Sequence, residues 1–386
     1  MFQEPTKPVR QSKRKRNSGQ ALIKLLLDDQ LDWCQPIYAD APITPIDADG
    51  IQAIHDASMK VLEDVGVLFL NDAALRVFDR HRCDVDWESK RVRMDRAFVM
   101  EQVAKAPSHI TVTPRNADRA LIFGGQHFNF GQVASPPNVM DLDKGRRMGT
   151  REDFQNFLKL AQAYNCIHFN CGYAVEPMDM HPSVRHLDGL FDMLTLTDKV
   201  VHAYALGTER IEDAMEMVRI GAGLTYDAFE EKPRMFTNIN STSPLKHDWP
   251  MLDGAMRMAA RNQMVVVSPF TLAGAMAPVT LAGALTLQNA ESLAAISLLQ
   301  AVRAGAPVIY GAFTSNVDMK TGAPAFGTPE FVRAMQISGQ LARFYGLPLR
   351  ASNANAANAV DAQAVWESAF SLHGCWSGGA NLIYHA

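Results

Sequence analysis

The chain has 386 residues, of which 47% are hydrophobic and 20% charged, and its formal net charge is −4. That balance is ordinary for a soluble globular protein and argues against a disordered or fibrous chain. The length allows one large domain with an appendage or two modest ones, and the near-neutral charge favours neither a nucleic-acid partner nor an acidic substrate.

In chain order, residues 1–45 read as a flexible basic tail. The run Lys13-Arg14-Lys15-Arg16, with Lys7 and Arg10, is a solvated arm on this reading, and one short helix is expected at Gln20–Leu27. No apolar segment of secretory form follows the charged start, so a cytoplasmic protein is expected. Residues 46–125 read as a small α+β extension. Ile51, Ile54, Ala57, Met59, Val61, Leu62 and Val65 keep helical spacing, and Gly66 ends the run. A second helix over Asn71–His81, a hairpin around Val85–Met94, a helix over Arg96–Lys105 and a strand at Ile110–Thr113 complete the extension.

From residue 126 onward the pattern alternates. Strands are predicted at His127–Phe130, Ile167–Tyr173, Val200–Ala205, Met235–Ile239, Met264–Pro269, Val308–Gly311, Leu349–Ala351 and Asn381–His385. Helical patterns fall between them at Arg151–Tyr164, Val184–Leu196, Arg210–Ala222, Trp249–Arg261, Val279–Arg303, Pro329–Tyr345 and Ala362–Ser377, with a hairpin inserted at Asn138–Met148. Regular βα alternation of this extent predicts an α/β fold, a parallel (β/α)₈ TIM barrel over residues 126–386. A doubly wound sheet is the alternative, but no GxGxxG or Walker-type loop follows any strand. The predicted eighth strand has no helix after it, so the barrel reads as truncated at its last helix.

Between Arg261 and Arg303 the only charged residue is Glu291, yet Pro269, Pro278, Gln288 and Asn289 interrupt the apolar run, so no membrane span is expected. The charge-poor helix 279–303 offers a face for a homo-oligomer contact. The five cysteines form no CxxC pair, which fits a reducing compartment, and Cys166 and Cys171 are read as core thiols.

In a barrel, chemistry gathers at the C-terminal strand ends. Those ends supply Asn129, Gln132, Tyr173, Glu176, Tyr204, Asn238, Asn240, Ser243, Ser268, Phe270, Thr271, Tyr310, Phe313, Asn316, Asp318, Asn353, Asn355, Tyr384 and His385. The set is rich in amides, hydroxyls and aromatics and poor in charge. It lacks clustered metal ligands, a lysine for a Schiff base and a phosphate cradle. The aromatics offer π-faces to a cation and Glu176 a counter-charge. The expected binding residues are Tyr173, Tyr204, Asn240, Phe270, Tyr310, Phe313, Asn353 and His385, with Asn316, Asp318 and Glu176 in the central roles. The loop after strand six, up to the N-cap Thr328 and Pro329, is unusually long, as active-site loops in such folds are.

The stretches VLEDVGVLF (61–69), RVRM (91–94), TDKVV (197–201), SPFTLAGAMAPVTLAGALTLQNAE (268–291) and GAPVIYGAFTSNVDMKTGAPAFGTPE (305–330) closely resemble the trimethylamine methyltransferase (MttB-like) family. The resemblance runs over about residues 45–386. It implies a (β/α)₈ barrel that moves a methyl group from a methylated amine to the cobalt of a corrinoid carried by a partner protein, and a C-terminal continuation of the chain. Family members acting on trimethylamine carry pyrrolysine in the barrel, at a position that the resemblance places at or near Asn316. Asparagine there implies a quaternary amine such as glycine betaine, whose leaving group departs as a neutral amine, so that the enzyme needs mainly positioning and exclusion of water. A methylated-amine-binding protein without turnover and a barrel lyase or aldolase are the alternatives from other classes.

Overall fold

The computed structural model describes residues 30–141 and 143–385. The basic run at 13–16 and the expected helix at 20–27 lie outside the described residues.

Helix α1 (Ala48–Lys60) starts where the Asp47 side chain accepts the Gly50 amide. It runs on through a π-turn at Val61–Val65 and stops at Gly66, whose φ is +74° and where a Cβ would meet the Val92 carbonyl at 2.4 Å. Strand β1 (Val67–Phe69) follows, then α2 (Asp72–Arg80), the hairpin β2 (Asp84–Asp86) and β3 (Arg91–Arg93), and α3 (Arg96–Val103). β1 pairs antiparallel with β3. Its other edge takes a parallel partner from far along the chain, Lys246–His247, in the loop after the fourth predicted barrel strand. The N-terminal unit is thus sewn into the loops of the main sheet.

The main sheet is parallel, with seven strands in the order 129–130, 382–384, 349–352, 308–311, 264–267, 235–239 and 201–202. The predicted second strand, Ile167–Tyr173, is reduced to Phe169, which bridges Gly131 on one edge and Val200 on the other. Side chains explain the reduction. His168 Nδ1 accepts the Phe130 amide, so a ladder donor is spent on an imidazole, and Gly172 turns the backbone to φ +80°.

Alternation along these strands sorts residues between two cores. Phe169, Cys171, Val200, Phe236, Met264, Val266, Ile309, Leu382 and Tyr384 pack inside the curled sheet. Val265, Val267, Val308, Tyr310, Leu349, Ala351 and Ile383 pack outward against the helices. By the same parity Arg350 and Ser352 turn inward. Cys166 is exposed, which corrects its reading as a core thiol; Cys171 is buried.

The 22-residue helix Leu281–Val302 is buried on nearly all sides by α1, α3 and the helices Trp249–Ala260 and Pro329–Phe344. Most of its apolar surface is thus covered inside the chain, while its first turn, Leu281–Gly283, keeps some exposure. Among the described residues no helix is long and apolar enough to cross a membrane.

Candidate active site

A cavity of about 380 Å³ opens at the C-terminal ends of the parallel strands. Its wall includes His202 and Tyr204 from strand three, Asn238 and Asn240 from strand four, Phe313 after strand six, Arg350 on strand seven, and Tyr384 and His385 at the last strand. Of the residues expected from sequence, it brings together Tyr204, Asn240, Phe313 and His385. Phe270 joins them against Phe313, the rings tilted by 36° with centroids 4.9 Å apart, and Phe326 stacks on Phe313 at 5.4 Å and lies 6.3 Å from Phe270, so the three rings form one cluster.

Arg350 lies at the centre and is absent from the expected inventory. Only 4% of it is exposed. Its guanidinium carbon sits 4.8 Å from the Phe313 ring centroid and 4.6 Å from that of Tyr384. Nη1 donates to the Ala312 carbonyl at 3.3 Å, and Nε has no partner. Among the described residues no carboxylate pairs with it. Burial pulls the guanidinium down to about 10. A buried cation without a counter-charge is costly, and proteins keep one where a ligand supplies the missing anion. The signal was legible: a charged residue inside the short, wholly buried strand Leu349–Ser352 needs a reason to be there.

Other polar atoms around the cavity also lack partners, namely the Asn238 Oδ1, the Tyr384 hydroxyl and the His202 Nδ1. His202 Nε2 accepts the Asn238 amide at 3.1 Å, so its Nδ1 carries the hydrogen. His385 Nδ1 lies 2.6 Å from Ser352 Oγ. Burial, and then the charge of Arg350, push both His202 and His385 down to about 3, which keeps them neutral. Burial likewise pushes the Tyr204 hydroxyl up to about 12.

The remaining expected residues fall elsewhere. Tyr310 is not in the cavity: it points outward, donating to Asn289 Oδ1 at 3.0 Å and accepting from Gln288 at 3.3 Å. A one-residue parity, Ile309 in and Tyr310 out, decides this. Glu176 is not a free counter-charge, because Arg185 Nη1 donates to it at 2.5 Å. Asp318 sits in a surface turn and accepts from the Lys320 amide and the Thr321 hydroxyl. Asn316 accepts from the hydroxyl of Thr328, the N-cap of helix Pro329–Phe344, and so braces the long loop. Asn353 donates to Ser368 Oγ and to the His385 carbonyl, which holds the end of the last strand. Tyr173 and Glu176 line a second cavity beside the first, described below. No cluster of three or more metal-ligating side chains is found among the described residues.

The family described as trimethylamine methyltransferase (MTTB) matches residues 10–386. The chain belongs to this family. A glycine betaine methyltransferase of Desulfitobacterium hafniense (strain Y51) is 40% identical over 87% of this chain and 70% of that protein. A trimethylamine methyltransferase MttB of Desulfitobacterium hafniense (strain DSM 10664 / DCB-2) is 30% identical over 87% of this chain and 68% of that protein. A proline betaine:corrinoid methyltransferase of Eubacterium limosum is 26% identical over 78% of this chain and 62% of that protein. Members of the trimethylamine methyltransferase family are methyltransferases, and this chain is one of them. Among solved structures, a tetrameric deoxyribose phosphate aldolase from Aeropyrum pernix overlaps with a TM-score of 0.32 at 10% identity over 75% of this chain and 94% of that one, a likeness too slight to carry an argument.

Proposed function

We propose that this methyltransferase takes its methyl group from a quaternary ammonium compound that also bears a carboxylate, glycine betaine being the simplest, and delivers it to a corrinoid carried by a partner protein. The observation that carries the reading is Arg350, a buried guanidinium against two aromatic rings that no carboxylate among the described residues pairs. A cation such as choline, tetramethylammonium or protonated trimethylamine entering this cavity would face an uncompensated positive charge. A betaine brings the anion that Arg350 lacks, and its carboxylate can take two parallel N–H donors of the guanidinium. Its ammonium end then lies against Phe313, Phe270 or Tyr204 rather than against the arginine.

The partner's corrinoid is a co-substrate and supplies the nucleophile at its cobalt. When the methyl carbon is attacked in line, the C–N⁺ bond breaks and its electron pair stays on nitrogen. The amine that leaves is neutral and needs no proton, so neutral His202 and His385 are adequate neighbours. This chain's part is to hold the carboxylate at Arg350, aim one methyl outward and exclude water. In the same reading Phe169 stands as the second strand of a closed (β/α)₈ barrel, since it bridges both edges of the seven-stranded sheet.

The test is formation of methylcorrinoid, followed by visible absorbance, with glycine betaine, carnitine, proline betaine, choline and trimethylamine offered in turn together with the corrinoid partner. Transfer from one or more carboxylate-bearing compounds and not from choline is expected. Equal transfer from choline, or from trimethylamine alone, overturns the assignment.

A further inference from the structure

Beside the lumen lies a second cavity of about 270 Å³, between the barrel wall and the helices Arg185–Leu196 and Thr208–Gly221. Ser135, His202, Tyr204 and Leu206 border both cavities. The Tyr204 hydroxyl is hydrogen-bonded to the Ser135 hydroxyl and accepts the Tyr173 amide at 3.0 Å, so one short polar contact stands at the boundary.

The side cavity has the make-up of a carboxylate site. Arg185 and Arg210 both reach it, and both act on the Tyr173 hydroxyl electrostatically. Glu176 neutralises Arg185, but the Arg185 Nε is buried without a partner. Arg210 makes no side-chain hydrogen bond or ion pair with any described residue, which leaves one uncompensated cation at the rim. His186 gives its Nε2 to Asp213 at 3.0 Å and leaves Nδ1 buried and unpartnered. The floor is apolar, from Leu190, Met193 and Ala214. Such a pocket suits a small organic anion with a few apolar carbons.

We propose that this side cavity is a second carboxylate-binding station, reached from the lumen past the Tyr204–Ser135 contact, that receives the demethylated amino acid after transfer. The inference rests on the betaine reading. During transfer the partner's corrinoid covers the strand ends, so the product needs a way out that does not pass the docked protein. A demethylated betaine keeps its carboxylate, and Arg210 offers it a cation that no described residue pairs.

Calorimetric titration with N,N-dimethylglycine tests this on the full chain, with wild type, Arg350→Gln, Arg210→Gln and the double variant. Two sites are expected in wild type and one in each single variant, the lost site weakening by about tenfold or more, with none measurable in the double variant. Arg210 is a half-buried helix residue without bonds, so its variant is expected to keep the wild-type melting temperature, and Tyr204→Phe, which removes the boundary contact, provides a second probe by speeding exchange between the sites. A single wild-type site, or two sites persisting in Arg210→Gln, overturns the station. The methyl-transfer assay reads the underlying proposal separately: transfer from betaine with only one dimethylglycine site sinks the station alone, whereas two sites without transfer from any betaine sinks the substrate reading.

Discussion

The guanidinium of Arg350 lies 4.8 Å from the ring centroid of Phe313; Arg350 sits on the strand Leu349–Ser352 and Phe313 two residues past the end of the neighbouring parallel strand Val308–Gly311, with a long loop and the helix Pro329–Phe344 between them in sequence. A second ring, Tyr384, lies 4.6 Å from the same guanidinium carbon. Nη1 goes to the Ala312 carbonyl, and Nε is left without a partner, a donor that a carboxylate can take.

Arg350→Gln removes the anion's partner and one buried charge. Hydrogen bonds to charged groups contribute about 1.5–3 kcal/mol, so KM for a betaine should rise by about ten- to a hundredfold. If Arg350 binds substrate and transition state alike, kcat falls far less than KM rises. Steady-state kinetics with betaine, and with choline as the carboxylate-free control, check this. A variant whose relative preference for betaine over choline is unchanged contradicts the role given to Arg350.

Tyr310→Phe tests the parity of strand six. The hydroxyl belongs to a buried network with Gln288 and Asn289, and Asn289 in turn donates to Ser58 and Tyr345, tying α1 to the helix layer. Its loss leaves the Asn289 carbonyl oxygen short of a donor and should cost about 1–3 kcal/mol of stability in urea denaturation. Methyl-transfer kinetics should stay near wild type, because Tyr310 does not reach the lumen. A large loss of kcat in a stable variant would place the residue back in the site.

Glu291 is the single charged side chain of the long buried helix and it holds a loop rather than a ligand. Ser241 and Ser243 hydroxyls and the Leu245 amide all donate to it. That loop carries Lys246 and His247 to their pairing with β1. Glu291→Gln puts an NH₂ where an acceptor oxygen stood, so stability should fall by about 1–3 kcal/mol. Enhanced proteolysis within 241–247, read by mass spectrometry, is the local signature expected.

Acid should weaken the fold early. Burial holds His168 and His247 at about 4 and His202 and His385 at about 3. In the unfolded chain each titrates near about 6.5, so below that pH the unfolded state binds protons that the folded state refuses. Stability therefore falls as pH drops from about 6.5 toward 4, by at most about 1.4 kcal/mol per pH unit for each histidine. Glu291 works in the opposite sense, since burial raises it and its proton is held more tightly when folded. His55, lowered by burial as well, acts with the four, and the histidines set the sign. Denaturant midpoints that stay level between about pH 7 and 5 would contradict it.

The fold's rhythm and the family were legible in the chain alone. Strand and helix alternation, the cap at Thr328 with Pro329, the stop at Gly66 and the inserted hairpin at 138–148 are local properties, written by periodicity and turn chemistry. Long motifs such as residues 305–330 carry the family for the same reason, as contiguous text. The site was only partly legible. Which face of a strand a residue takes turns on a register of one, so Tyr310 went outward against expectation and Arg350, not singled out beforehand, went inward. Whether a charge is free or spent depends on partners from other elements: Glu176 is neutralised by Arg185, while Arg350 meets two rings and a carbonyl and no carboxylate among the described residues. Those compensations join residues distant in sequence, and only the packed chain decides them.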